Sequence, residues 1–398
     1  MTTSASEPNR NANSLHLTDA GCIALEMPSS VDRPLLLHGD TLATMRRMPD
    51  GCVHLIFIDP PYFRVKGDAW DRQWDTAAGF LAWVGELADE WRRILAPNGS
   101  LYCCASPQMS ARVECVIAER FAVLNSIVWA KPEGRHLGSE KETLRGYFPA
   151  TERIIFAEQL GADSMAMGED GYEAECERIR GDVFEPLRAY IAGEFERAGM
   201  LTTAGKIAAN VACGFSATAG GMAARHYFSR SQWRLPTPEH YAALRDLLNR
   251  EGGEYLRRDY DGMRVECDDL RVEFELQREA LEHLRRPFNV SADVLYTDVW
   301  TFPTVGQYPG KHPCEKPGAM LDHVIAASSR PGDLVFDGFL GSGVTGERAV
   351  MAGRRFVGVE FGDYIHDARR RIANAIGSPE AAAEANTLAP VGAQLGLL

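Results

Sequence analysis

Short apolar runs alternate with amphipathic stretches in two separated parts of the chain, and this alternation limits the fold more than any other feature. In the first part, strands are predicted at 35–38, 52–58, 100–104, 124–129 and 153–157, with helices at 42–48, 80–95 and 109–118. The pattern stops near Gly161 and resumes near Asp293. There it predicts strands at 294–300, 334–336 and 356–359, and helices at 318–327, 345–352 and 364–375. Strands spaced by helices build a sheet covered on both faces. The economical reading is therefore one doubly wound α/β sheet, residues 32–160 and 293–376, interrupted by a helical insert at 161–292. The Ser/Asn/Thr-rich residues 1–31 and the Ala/Gly/Pro-rich residues 377–398 are expected to be a disordered leader and tail.

Within the insert, apolar residues recur with 4-3 spacing at Leu256, Tyr260, Met263, Cys267, Leu270, Phe274, Leu281, Leu284 and Phe288, broken only at Gln277. A long helix over 254–286 follows, and such a sustained seam with charged flanks points to a coiled-coil-like contact and hence a homodimer. The other reading of the same pattern is an amphipathic helix lying on its own domain.

Composition removes several classes of function. No apolar run is long enough to span a membrane, and the first residues lack the charged flank and apolar stretch of a secretory signal. The nine cysteines include no Cys-x-x-Cys and no paired Cys/His spacing, so neither a metal site nor a disulfide framework is expected, and a reducing cytoplasm fits. The net charge of −13 seems to exclude a polyanionic partner, yet residues 221–250 carry five arginines against Glu239 and Asp246, locally net +3.

Two motifs carry chemistry. Asp59-Pro60-Pro61-Tyr62 directly follows the predicted strand 52–58, and open α/β sheets place their active sites at the carboxyl ends of strands. The amino group of adenine is a poor nucleophile because its lone pair is delocalised into the ring. A carboxylate and a carbonyl accepting its two hydrogens would localise that pair. Asp59 supplies the first acceptor and Pro60, with its fixed φ, the second. Tyr62, with Phe63, offers a face on which an extruded base can stack. The same four residues could also be a turn with a capping carboxylate. The second motif is Asp337-Gly-Phe-Leu-Gly-Ser-Gly-Val-Thr-Gly346, again after a strand and opening a helix. Its glycines permit a tight turn with close backbone approach, and an acid at the strand end suits a cationic group better than a phosphate. Glu360 ends the next strand, where a carboxylate can grip ribose hydroxyls. Alone, such a turn could equally serve a nicotinamide or nucleotide, or be only a tight connection.

Together the two motifs resemble the amino-methyltransferases of DNA in their circularly permuted β arrangement, in which the catalytic tetrapeptide comes first, then the recognition region, then the cofactor motif. Residues 35–158 and 293–375 carry the likeness. It implies a Rossmann-like sheet, mostly parallel with one antiparallel strand, and a target-recognition role for the insert. It further implies transfer of a methyl group from S-adenosylmethionine to double-stranded DNA. An Asp-type tetrapeptide points to N6 of adenine, since cytosine-N4 enzymes usually carry Ser there. Asp59, Pro60, Pro61 and Tyr62 would be catalytic or base-holding. Asp337, Phe339, Gly341, Ser342, Gly343, Thr345 and Glu360 would line the cofactor site. Asp40 would contact the cofactor's adenine, or cap the following helix, or both. His312, Lys316 and Pro317 match the segment beside the cofactor's methionine portion, with Lys316 meeting its carboxylate. Trp129 and Lys131 match a segment near the rim of the site.

Recognition of DNA would fall to Arg225, Arg230, Gln232 and Arg234, with His226, Tyr227 and Trp233 packing the element that bears them. Arg135, Lys141 and Arg145 form a second candidate, on a segment that could close over DNA. Rival readings are an N4-cytosine enzyme, the modification part of a restriction assembly, and a regulator that binds DNA without catalysis. Intact motifs speak against the last.

Overall fold

A computed structural model describes residues 24–65, 69–131, 146–147, 150–162, 171–289, 297–308 and 311–377. The chain divides into two compact units: residues 1–162 with 286–398, and residues 163–285.

The first unit is built on one eight-stranded sheet in the order β1-β8-β7-β2-β3-β5-β4-β6. The strands are β1 (Leu35–His38), β2 (Val53–Ile58), β3 (Leu95–Ala105), β4 (Phe121–Ala130), β5 (Thr151–Gln159), β6 (Val299–Trp300), β7 (Leu334–Asp337) and β8 (Arg355–Glu360). Only β5 runs against its neighbours β3 and β4; every other pairing is parallel. The central strands read as unbroken apolar runs because both their faces are covered. On one side, α1 (Thr41–Met45), α2 (Ala77–Ile94) and α3 (Ser110–Ala118) lie over a core containing Phe80, Trp91, Ile56 and Ile58. On the other, α9 (Gly318–Ser328), α10 (Val344–Met351) and α11 (Ile365–Ile376) bury Leu321, Val350 and Ile372 against Phe57, Val335 and Phe356. The strand expected at 294–300 is seen as β6, and residues 290–296 lie outside the described residues.

The second unit is helical: α4 (Gly171–Val183), α5 (Glu185–Arg197), α6 (Thr203–Ala212), a π-helical turn at Ala224–Phe228, α7 (Pro238–Leu248) and α8 (Tyr260–Leu284). The long helix begins later than the expected residue 254. Leu256 takes a left-handed φ of 52°, and the Asp259 side chain accepts from the Gly262 N–H to cap α8. The apolar seam is covered by its own unit. Met263, Cys267, Phe274 and Leu281 are buried with Ile179, Leu187, Trp233 and Leu244. These four seam residues are covered as in the reading of an amphipathic helix lying on its own domain, while Leu284 and Phe288 remain 53% and 48% exposed. A 4-3 repeat specifies which face of a helix is apolar, not what covers it, and here α4 lies along it.

The leader is also shorter than expected. Residues 24–31 pack on the sheet: Leu25 and Met27 lie against the core, the Leu25 N–H donates to the Arg47 carbonyl at 2.9 Å, and the Pro28 carbonyl accepts from Arg355. Residues 1–23 and 378–398 lie outside the described residues. No described helix is long and apolar enough to cross a membrane.

Because Phe274 sits inside the second unit's core and touches Phe184, Phe274→Ala is expected to cost about 3–5 kcal/mol of that unit's unfolding free energy. Denaturant titration of the parent and variant measures this, and a cost below about 1 kcal/mol would place the seam at a surface.

Candidate active site

Four adjacent parallel strands, β1, β8, β7 and β2, end at the same edge of the sheet, and each delivers an acid there. Asp40 follows β1, Glu360 closes β8, Asp337 closes β7 and Asp59 follows β2. The pairings fix this order: His38 lies opposite Glu360, Asp337 opposite Gly358, and Phe336 opposite Ile56. The two motifs, far apart in sequence, therefore stand side by side.

The glycine turn is shaped by backbone constraints. Gly343 has φ 84°, a left-handed value that favours glycine, and a Cβ there would lie 2.6 Å from Ala368 Cα. Asp337 is 3% exposed, and one of its carboxylate oxygens accepts the Phe339 N–H at 2.9 Å. Burial pushes its carboxyl up to about 7, although Thr345 and the Phe339 N–H oppose the shift; the nearby Asp59 and Glu360 add to it. Such a buried acid, unpaired with any cation among the described residues, is a standing site for a positive group. Glu360 accepts from the Gly341 N–H at 2.8 Å and from the Gly362 N–H at 2.7 Å, so its carboxylate braces the turn. Asp40 caps α1 by accepting from the Ala43 N–H at 2.8 Å and is exposed on its other side. Ser342 and Thr345 are buried within the turn, and Arg371 reaches Ser342 Oγ at 3.3 Å. His312 packs against Gly341 and stands edge-on to Tyr364 at 4.4 Å. Pro317 opens α9. Phe339 reaches across to Trp83 of α2, with ring centroids 5.8 Å apart.

The tetrapeptide carries a buried charge cluster. Lys316, 6% exposed, donates from Nζ to Asp59 Oδ2 and lies 3.4 Å from Glu152 Oε2. The Tyr62 hydroxyl lies 2.9 Å from Asp59 Oδ1 and 3.4 Å from Glu152 Oε2. Lys131 donates to the other oxygen of Glu152 and lies over the Trp129 ring at 4.8 Å. Trp129 is held in turn by donating to the Phe302 carbonyl at 2.7 Å. Burial works against the charges of Glu152 and Lys316, but their partners win. Glu152 is held down at about 2, chiefly by Lys316 and then Lys131, and Asp59 with Glu152 keeps the Lys316 ammonium charged. Lys316 thus meets the carboxylates of Asp59 and Glu152, where a cofactor carboxylate was expected. Phe63 also differs from expectation: it packs on Phe80 at 5.9 Å, inside the aromatic group of Trp74, Phe80 and Trp83. Pro60 and Tyr62 line a hollow with Phe80, Cys104, Ser106 and Met109, and the buried Ser106 Oγ there has no hydrogen-bond partner.

Sequence reasoning missed Glu152. Strand carboxyl ends were the sites searched, but β5 is antiparallel, so its first residues reach this edge; Glu152 pairs with Trp129. Among the candidate DNA contacts, Arg225, Gln232 and Arg234 are exposed beside the π-helical turn. That turn is anchored by buried Tyr227 and Trp233 and by the His226 ring on the Gln232 carbonyl at 3.0 Å. Arg230 instead pairs with Asp182 and Glu185. Arg135, Lys141 and Arg145 lie outside the described residues. Among the described residues no group of three or more His, Cys, Asp or Glu is arranged to hold a metal ion.

Residues 53–371 match the family model described as DNA methylase. The chain is 24% identical to the DNA adenine methyltransferase YhdJ of Escherichia coli (strain K12) over 345 residues, 85% of this chain and 82% of that one. It is 43% identical to the type II methyltransferase M2.DpnII of Streptococcus pneumoniae over 79 residues, 19% of this chain and 30% of that one. Among solved structures it is similar to an M1.HpyAVI–SAM complex, with TM-score 0.43 and 16% identity, covering 85% of this chain and 98% of that one. It is likewise similar to the cytosine-N4-specific PvuII DNA methyltransferase, with TM-score 0.45 and 12% identity, covering 87% and 94%.

A carboxyl that titrates near 7 when folded, against an ordinary 3.8, contributes stability that is present below about 4 and is lost as the pH rises to 7. Asp337→Asn should therefore be more stable than the parent at pH 8, by up to about 4 kcal/mol, with the advantage shrinking as the pH falls toward 4. Denaturation midpoints across that range test it, and a pH-independent difference would show that burial does not govern Asp337.

Proposed function

From the premise that this chain belongs to the DNA methylase family, we propose that it transfers a methyl group from S-adenosylmethionine to N6 of an adenine swung out of double-stranded DNA. The observation that carries this reading is the adjacency of Asp59 and Asp337 at the ends of neighbouring strands. One carboxylate suits the hydrogens of an exocyclic amine, and the other, buried without a cation, suits a positively charged donor.

The residues fit the cofactor. Three acids, Asp40, Glu360 and Asp337, stand around a turn where the backbone comes close, a set matched to hydroxyls and cations. Asp337 would hold the positive methionine end, Glu360 the ribose, and Asp40 the adenine, with His312, Pro317, Phe339, Ser342 and Thr345 as walls. When bound, S-adenosylmethionine supplies a methyl group made electrophilic by a positive sulfur.

The protein's own part is alignment and polarisation. Asp59 accepts one hydrogen of the amine and the Pro60 carbonyl accepts the other, concentrating the lone pair on nitrogen. Tyr62 gives the base a face, and before the base arrives its hydroxyl lies 2.9 Å from Asp59 Oδ1. The amine's surplus proton becomes acidic only as the new N–C bond forms, so no strong base is needed. An aspartate at position 59 supports adenine over cytosine as the target, as does the name of the Escherichia coli relative, a DNA adenine methyltransferase. Recognition of the DNA sequence is assigned to the second unit. There Arg225, Gln232 and Arg234 are exposed at or beside the π-helical turn, while Arg230 is ion-paired with Asp182 and Glu185.

Labelled methyl transfer to duplex DNA tests the catalytic assignment: Asp59→Ala is expected to lower the rate at least about 10³-fold while cofactor affinity stays near that of the parent. Parental activity in that variant would remove Asp59 from the site. For recognition, Arg234→Ala is expected to weaken DNA binding and to reduce the salt-dependence slope by about 1, with a smaller effect from Arg230→Ala. Binding isotherms over a salt series read both, and equal effects would overturn the distinction.

A further inference from the structure

Glu152 belongs to neither motif, yet every donor at Asp59 also reaches it. Lys316 Nζ and the Tyr62 hydroxyl each have Asp59 as nearest acceptor and Glu152 Oε2, at 3.4 Å, as the second. Lys131 occupies the opposite oxygen, Oε1, and so fixes which oxygen is turned toward Asp59. The backbone of Glu152 is itself fixed by its ladder position opposite Trp129.

This arrangement answers a difficulty in the chemistry. Both oxygens of Asp59 are already engaged, one by an ammonium and one by a hydroxyl. An incoming amine must compete with both. A buried ammonium cannot be stripped of its carboxylate without a large penalty unless a second anion takes it. The cluster also holds two carboxylates against two ammonium groups, so removing one negative charge leaves a net positive charge beside a nitrogen that itself becomes positive as it is methylated.

We propose that Glu152 is a positioning residue for methyl transfer: it receives Lys316 and Tyr62 as the target amine takes Asp59, so that the ammonium stays paired and Asp59 is free to accept. This rests on the reading that Asp59 accepts the amine's hydrogen. No bond to Glu152 forms or breaks; the carboxylate remains ionised throughout.

The test is a double-mutant cycle of Glu152→Gln and Lys316→Met. It is read in single-turnover transfer of labelled methyl groups to unmethylated plasmid DNA, with S-adenosylmethionine affinity measured by calorimetry. Glu152→Gln alone should slow transfer at least tenfold with cofactor affinity within twofold of the parent. In the Lys316→Met background the same change should cost less than threefold, because the donor it serves is gone. Glu152→Asp, which keeps the charge, should be faster than Glu152→Gln. Parental rates in Glu152→Gln, equal fold losses in both backgrounds, or no recovery in Glu152→Asp would each overturn the assignment. Asp59→Ala separates the two levels. If that variant is inactive while Glu152→Gln is normal, only the role of Glu152 fails; if Asp59→Ala transfers at the parental rate, the underlying reading fails.

Discussion

The ion pair between Lys316 and Asp59 joins residues 257 positions apart, and the site exists only because the fold brings them together. Lys316 is 6% exposed, in surroundings where an isolated ammonium would be driven to lose its proton. It stays charged because the carboxylates of Asp59 and Glu152 surround it, and it in turn helps hold the Glu152 carboxyl low. The cluster draws five groups from four places: Asp59 and Tyr62 after β2, Lys131 after β4, Glu152 at the start of β5, and Lys316 before α9. Truncating any one charge leaves the rest unbalanced in a poor dielectric, which makes the geometry of Asp59 a property of the whole edge of the sheet.

A second electrostatic demand sits on the neighbouring strand. Asp337 is buried without a paired cation among the described residues, and its carboxyl is raised toward 7 by that burial. The two acids differ in kind. Asp59 is satisfied by the protein, whereas Asp337 stands at the start of the glycine turn with no cation paired to it among the described residues. This division suits a two-substrate reaction in which a cation is the donor and a neutral amine the acceptor. A sheet edge that gathers acids from four consecutive parallel strands would repel a phosphate, which argues against the nucleotide-binding alternative that the glycine turn alone leaves open.

Much of this was legible in the sequence because buried parallel strands announce themselves as apolar runs, and the functional acids sit directly after them. Asp59 and Asp337 are of this kind. Glu152 was not legible because the rule that looks to strand carboxyl ends reverses on an antiparallel strand, and nothing in Thr151-Glu152-Arg153 states the direction of β5. The heptad seam was legible as a helix face, but its spacing does not say what covers that face, and Met263 and Phe274 find their cover within the same unit. The start of α8 was misplaced by four to six residues because Leu256 satisfies the apolar spacing from a left-handed turn outside the helix. The Ser/Asn/Thr-rich composition of residues 1–31 hides that Leu25 and Met27 pack against the core, with the Leu25 N–H donating to the Arg47 carbonyl and Arg355 to the Pro28 carbonyl.

The central claim is that Asp59 accepts the amino group of adenine. It is tested most directly by incubating the protein with S-adenosylmethionine and unmethylated duplex DNA, digesting the product to nucleosides, and identifying the methylated base by mass spectrometry. The account predicts N6-methyladenine as the product. N4-methylcytosine, or DNA that acquires no methyl group while the cofactor binds, would contradict it.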